Sequence, residues 1–538
     1  MENAMTTSPS NPTGNSEAMP RTKTADPCIL IILGATGDLT ARKLVPSLYN
    51  LAKEGLLPAK FACVGFARRD WSHEFFREEM HAKVNEHSRL KPVDEKLWET
   101  FSSKLYYHQA GFEDDKGYED LKALLEELDK KHGTQGNRVF YLSIQPSSFP
   151  IAIEKLSKHG LLTKESPNSK KWSRIIIEKP FGHDLESAIA LQKHIDTYMN
   201  ENQVYRIDHY LGKETVQNLL TFRFANSIFE ALWNSKYVDH VQFTVGEDIG
   251  VGTRGHFWEE AGMLRDIVQN HMMQLLSIIA MEPPTNLQAY AVHDEKVKVL
   301  DAIRPIRNED CDKYAVRGQY GQGVVNGQVV KGYRKEGNVN PNSNVETYVA
   351  LQLFIDNWRW AGVPFFLRAG KRMPTRTTEI AIVFKEIPRI LFRTGKSPID
   401  TNVLLIRIQP NEGISMKMNC KVPGMAGPTI QGVNMDFRYD SYFGMTPPDA
   451  YERLICDCIL GDSTLFARND EVLSSWKLLT PISDRWAEAK PKDFPNYQAG
   501  TWGPQAADEM LSRAKWRSWQ QTTKEGRARN TGFETQRT

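Results

Sequence analysis

Between Cys28 and Asp208, short and almost unbroken apolar stretches constrain this chain more than any other feature of it. They read CILIILG from Cys28, FACVGF from Phe61, RVFYLSI from Arg138 and RIIIEKP from Arg174. A strand with one wet face alternates apolar and polar residues. These do not, so both faces must be covered, as in a parallel sheet flanked by helices. Between them Tyr118, Leu121, Leu124, Leu125 and Leu128 recur at helical spacing, the pattern of a crossover helix with one buried stripe. The pattern predicts a doubly wound, Rossmann-like α/β domain over 27–208.

The first stretch runs into Gly34, Ala35, Thr36, Gly37, Asp38 and Leu39. Glycines at a strand-to-helix turn let a pyrophosphate approach the backbone, and the helix N-terminus that follows favours anions. The second stretch ends in GFARRD, with Arg68 and Arg69 where an NAD-binding domain would place a ribose-binding acid. Guanidinium groups there suit a 2′-phosphate, so the expected cofactor is NADP. Taken alone, the two arginines also fit an ordinary solvated surface.

Beyond Asp208 the pattern changes. Ile414, Met416, Met418, Cys420 and Val422 alternate with Ser415, Lys417, Asn419 and Lys421, and VETYVALQLFI, EIAIVF and NVLLIRIQ are further strand candidates. Consecutive strands with few helices between them predict an α+β domain with a large, mainly antiparallel sheet over 209–523. Residues 1–26 and 524–538 lack apolar periodicity and are expected to be a disordered leader and a flexible tail. The 68 basic and 66 acidic residues nearly cancel, which argues against nucleic acid or an anionic membrane as partner. No stretch has the roughly 20 apolar residues of a membrane span, and the leader has no apolar signal core. The six cysteines have no metal-ligand spacing, so no metal is expected and a reducing cytoplasm fits best. Cys456 and Cys458 read as small buried hydrophobes.

Polar chemistry concentrates in a few segments. IIIEKPFG places Glu178, Lys179 and Pro180 at a strand end, and RIDHYLGKE packs Arg206, Asp208, His209, Tyr210, Lys213 and Glu214 together. Crowded charge at the carboxyl edge of a sheet is expected where substrate meets cofactor. Glu247 sits in TVGEDIG, and Asp266 and His271 near the start of a helix read from GMLRDIVQNHMMQLLSIIAM. Residues five apart on an α-helix diverge by about 140°, so a carboxylate other than Asp266 should orient His271. Lys371, Arg376 and Gln409 complete the set. Singly, each of these also fits a salt bridge or a structural polar group.

Together, GATGDL, EKPFG, RIDHYLGKE, RDIVQNH, GVPFFLRAGK, IRIQPNE and PDAYERLI resemble the glucose 6-phosphate dehydrogenase family, in order and from about Cys28 to Trp519. The resemblance implies NADP-dependent oxidation of glucose 6-phosphate to 6-phosphogluconolactone, the entry reaction of the oxidative pentose phosphate pathway. It implies that His271 is the general base and Asp208 its orienting partner. His209, Tyr210 and Lys213 become a phosphate clamp. Lys179, Glu247, Asp266, Lys371, Arg376 and Gln409 hold the sugar, with Lys179 serving the cofactor too. A homodimer or homotetramer is implied as well. The segment GMAGPTIQGVNMDFRY and Thr377 depart from the basic pattern of the animal members' second NADP site, so that site is not implied.

Overall fold

The computed structural model describes residues 25–522 and 528–530, apart from 167, 389–398, 425–429, 445–446 and 515–517. The expected leader thus falls almost wholly outside the described residues. The apolar stretches become strands of one six-stranded parallel sheet. In chain order these are β1 (Cys28–Leu33), β2 (Phe61–Ala67), β3 (Leu105–Gln109), β4 (Arg138–Leu142), β5 (Ser173–Ile177) and β6 (Val204–Arg206), arranged β3-β2-β1-β4-β5-β6. Every residue of β1, β2 and β4 is buried, as the unbroken apolar runs require. β3 and β6 are the edge strands. One ends in half-buried and exposed polar residues and the other is three residues long, so neither stands out in the sequence. The order reverses between β1 and β4, which opens a ligand crevice at their carboxyl ends.

The expected crossover helix spans Asp115–His132, starts at the Asp114 side chain, which accepts from the Lys116 amide, and stops at Gly133 in the left-handed region. Tyr118, Leu121, Leu125 and Leu128 are buried beneath it and Leu124 packs at the margin.

The second sheet begins with β7 (Val238–Gly246). Next in the chain come β8 (Ala315–Gly318), which joins that sheet, and, outside it, a short β9 (Tyr320–Gly321) and the ribbon of β10 (Gly323–Val325) and β11 (Gln328–Val330). β12 (Tyr348–Phe354), β13 (Pro364–Gly370), β14 (Thr377–Phe384), β15 (Val403–Gln409), β16 (Gly413–Lys421) and β17 (Ile430–Arg438) follow. Eight of these strands form one sheet in the order β17-β16-β15-β14-β7-β13-β12-β8, antiparallel except where β13 lies parallel to β7. Phe243, Leu367, Ile380, Leu404 and Ile406 share a core with Met272, Leu275, Leu276 and Ile279 of the helical layer. At the far edge the expected alternation of β16 is present, but its apolar face is the wetter one: Ser415 is buried, while Met418 and Cys420 are exposed, as is Met435 on β17.

Segments near the end of the chain complete the first core. The helix Ala450–Leu460 lays Leu454, Ile455 and Ile459 against one side of the parallel sheet, with Cys456 and Cys458 buried among them, and Trp476 of the helix Asn469–Glu488 joins the other side. Burial pushes the Cys458 thiol far up. Gln520–Thr522 pair antiparallel with Ala528–Asn530, which lie inside the stretch expected to be a tail.

Candidate active site

The two sheets bring their strand ends to one place. β5 ends before Lys179, β6 runs into Asp208, β7 ends before Glu247, and β13, parallel to it, ends before Lys371. Because β14 runs antiparallel to both β7 and β15, its first residues lie at this same edge, where Thr378 pairs with Gln409. Residues up to about two hundred positions apart therefore meet through register alone.

At the centre His271 is 1 % exposed, and its Nδ1 donates to Asp208 Oδ1 at 2.5 Å. A carboxylate accepts, so this contact leaves Nε2 as the acceptor face of the ring. Lys179 Nζ lies 3.0 Å from that Nε2 and also donates to Asp266 Oδ1 at 3.0 Å and to the Asp266 carbonyl at 2.8 Å. Burial, helped by the Lys179 ammonium, holds the imidazole well below its ordinary range, and burial pushes the Asp208 carboxyl up. Asp266 stays low: burial opposes this, but Lys179 prevails. The result is a neutral base with one oriented lone pair.

The helical expectation for this segment is corrected in detail. Leu264–Met272 winds with i→i+5 bonds before an α-helix resumes at Met273–Ala280. That wider winding brings residues five apart back towards the same face, so α-helical divergence is not what keeps Asp266 off His271. Lys179 stands between the two.

Beside the base, Tyr210 stacks on the His271 ring with centroids 4.2 Å apart, and His209 meets it edge-on at 4.5 Å. Burial and the neighbouring His271 drive His209 well down, which makes it a neutral group at ordinary pH. Lys213 holds its ammonium 4.3 Å above the Tyr210 ring and donates to Gln409 Oε1, which Arg376 also reaches at 3.4 Å. Burial first, then Arg376, lowers Lys213 to about 8. Two cations converging on one amide oxygen make a place for an anion. On the other flank Lys371 pairs with Glu247 and lies 4.4 Å over the Trp258 ring.

The glycine turn forms a separate part of the crevice. Gly34 has a φ of 89°, and a Cβ there would lie 2.1 Å from the Ser143 carbonyl, so only glycine fits between β1 and β4. Gly34, Thr36, Gly37, Arg68, Arg69 and Ser143 line a cleft of about 1000 Å³. Ala35 turns its methyl into the core, Asp38 pairs with Arg42 at 2.9 Å, and Leu39 packs against the first core. The glycine cradle, the volume and the two arginines at the β2 end fit a dinucleotide.

Some partners have no signal in the sequence. Thr378 bonds both Tyr210 and Gln409, Trp258 floors Lys371, and Tyr141 donates to Glu178 at 2.5 Å. Burial pushes that Glu178 carboxyl up to about 7. The Lys179–Pro180 peptide is cis. Arg206, crowded into the same motif, points away to Glu201 and Gln192 and serves structure.

Known proteins are similar to this chain along nearly its whole length. The profile described as "Glucose-6-phosphate dehydrogenase, NAD binding domain" matches residues 31–218, and "Glucose-6-phosphate dehydrogenase, C-terminal domain" matches 220–520. A glucose-6-phosphate 1-dehydrogenase of Chlamydia muridarum is 55% identical over 508 residues, covering 94% of this chain and 99% of its own. One from Bacillus subtilis is 43% identical over 491 residues, covering 91% and 98%. A glucose-6-phosphate dehydrogenase solved in complex with its substrate glucose-6-phosphate superposes with a TM-score of 0.83 at 35% identity, covering 93% of this chain and 99% of its own. With both domains matched end to end and the histidine–aspartate pair formed in the fold, the chain belongs to the glucose 6-phosphate dehydrogenase family of oxidoreductases.

Proposed function

We propose that this chain oxidises D-glucose 6-phosphate at its anomeric carbon, yielding 6-phospho-D-glucono-1,5-lactone, with NADP as the hydride acceptor, in the cytoplasm. The observation that carries this reading is the buried Asp208–His271–Lys179 chain lying beside the Lys213–Gln409–Arg376 cluster. The sugar phosphate places its dianion at Lys213, His209 and Tyr210, where charge-assisted hydrogen bonds are strongest. Glu247, Lys371, Asp266 and Gln409 surround the ring hydroxyls. The anomeric hydroxyl then takes the place of Lys179 at His271 Nε2. His271 accepts the hydroxyl proton as the carbon–hydrogen bond breaks, and Asp208 supports the imidazolium that forms. Gly34, Gly37 and Arg68 would hold NADP in the glycine cleft, and when bound it would supply a hydride-accepting nicotinamide. Formation of NADPH from glucose 6-phosphate, and none from glucose at the same concentration, tests substrate, cofactor and phosphate clamp together.

Cofactor choice rests on Arg68, aided by Arg69, at the end of β2. Arg68→Ala should raise the KM for NADP by about ten-fold or more, the scale of one lost charged hydrogen bond, and change that for NAD little. Equal effects on both cofactors would remove the assignment.

The wet apolar face of β16 and β17 suits a second copy of the chain. Met435 is 64% exposed, with Met418 and Val433 each 40% exposed beside it. A patch of this kind marks an association surface, and symmetric dimers are the commonest assembly. Light scattering at micromolar concentration should give at least a dimer, and Met435→Lys should shift it towards monomer. A monomeric wild-type mass would contradict the reading.

A further inference from the structure

The segment that carries Asp266 and His271 does not continue the helix before it. Gly262, inside the helix Gly255–Met263, has φ 64° and ψ 176°, a conformation open to glycine but costly for other residues. After such a break the first amides of the new winding have no acceptor in the preceding turn. One residue from a distant segment supplies two. The Met263 amide donates to the Glu346 carbonyl at 3.2 Å, and the Leu264 amide to Glu346 Oε1 at 3.1 Å. A Cβ on Gly262 would lie 2.5 Å from that same Oε1, so the glycine is needed for the approach of the carboxylate as well as for the backbone turn.

The reach of this segment extends to the other flank of the site. The Glu346 carbonyl also accepts from the Trp258 indole at 3.3 Å, and Trp258 is the floor beneath Lys371. The carbonyl of the next residue, Thr347, accepts from the Lys371 amide at 2.9 Å. Two consecutive residues thus touch the start of the catalytic winding, the Trp258 ring and the Lys371 backbone. Helices with i→i+5 bonds are rare and short, so this one depends on how its ends are held. A helical residue rises about 1.5 Å, so a slip of one position at the start would carry His271 out of reach of Asp208. A carboxylate at a helix N-terminus also meets the favourable end of the dipole.

We propose that Glu346 is a positioning residue for the oxidation: its carboxylate sets the start of the Leu264–Met272 winding and so places Asp266 and His271 against Lys179 and Asp208. The proposal rests on His271 being the base, and Glu346 acts through the winding that carries it.

The test compares Glu346→Ala and Glu346→Gln in the full chain, using glucose 6-phosphate with hydrogen or deuterium at the anomeric carbon. Misplacement of reacting groups by about an ångström can cost about a hundred-fold, so E346A should lose about ten- to a hundred-fold in kcat while its KM for NADP stays near wild type. Its deuterium isotope effect on kcat should rise above the wild-type value, because a slowed chemical step becomes fully limiting. A variant that merely contains fewer folded molecules would leave that effect unchanged. E346Q keeps an acceptor oxygen at the same reach and should recover most of kcat. Wild-type turnover in E346A, an unchanged isotope effect, or equal losses in E346Q and E346A would each overturn the proposal. If E346A is not recovered folded, E346Q decides: near-normal kcat supports the cap, and a loss as large as that expected for E346A overturns it. An inactive wild-type chain, or an active His271→Asn variant, would instead overturn the functional reading beneath it.

Discussion

Replacing His271 by asparagine should lower kcat by about a hundred- to ten-thousand-fold, the usual worth of a positioned general base, while glucose 6-phosphate still binds. Proton removal from the anomeric hydroxyl is needed mainly in the transition state, so the loss should appear in kcat and in kcat/KM alike, with little change in KM. Asparagine keeps a polar group of similar reach beside Tyr210, which preserves packing and removes basicity. Asp208→Asn should cost less, because it weakens the orientation and charge support of the imidazole while leaving the base in place. Burial and the Lys179 cation hold His271 well below the ordinary imidazole range, so the ring is neutral at physiological pH. Loss of kcat through protonation of this ring should therefore set in only when pH falls below about 6.5, the unperturbed imidazole value. Steady-state kinetics across pH, with substrate binding measured separately, checks all three statements. Near-normal turnover in His271→Asn would end the mechanism.

Loss of the Lys213 ammonium should act on binding instead. Lys213→Ala removes a charged partner of the phosphate, worth about 1.5–3 kcal/mol, and should raise the KM for glucose 6-phosphate by about ten- to a hundred-fold with a smaller change in kcat. The site should show this in its pH dependence as well. Burial and Arg376 bring Lys213 down to about 8, so in the free enzyme its charge is present below that pH and lost as pH rises through it. Affinity for the dianion should fall on the alkaline side. Lys213→Arg, whose cation persists at any working pH, should flatten that limb even where its absolute affinity is weaker. An unchanged KM in Lys213→Ala would place the phosphate elsewhere.

What one sequence discloses about such a site depends on whether the information is local. The unbroken apolar runs of β1, β2 and β4 can satisfy burial only in a two-sided parallel sheet, so the first domain's class follows from composition along a few consecutive residues. Gly34 is legible for the same reason: the turn that demands it lies next to the strand that announces it. Asp208, His209, Tyr210 and Lys213 sit within six positions, close enough that one compact segment delivers the partner of the His271 ring, both aromatic rings packed on it and the ammonium over Tyr210.

Other features depend on pairing over long separations, which leaves no periodicity behind. The wide winding of Leu264–Met272 looks like an ordinary amphipathic helix in sequence, and the carboxylate that accepts from its first amide comes from Glu346, 82 positions away. Trp258 and Thr378 carry no signal in the sequence, and only the meeting of the strand ends at one edge gives them a part in the site. The late helices Ala450–Leu460 and Asn469–Glu488 fold back to finish the first core, although the strands that precede them, from Val238 to Arg438, build another sheet. Local sequence thus determined which residues are candidates for the chemistry and what kind of sheet bears them. The tertiary structure alone decided their contacts, because hydrogen bonds and buried ion pairs depend on distances of a few tenths of an ångström that chain spacing does not encode.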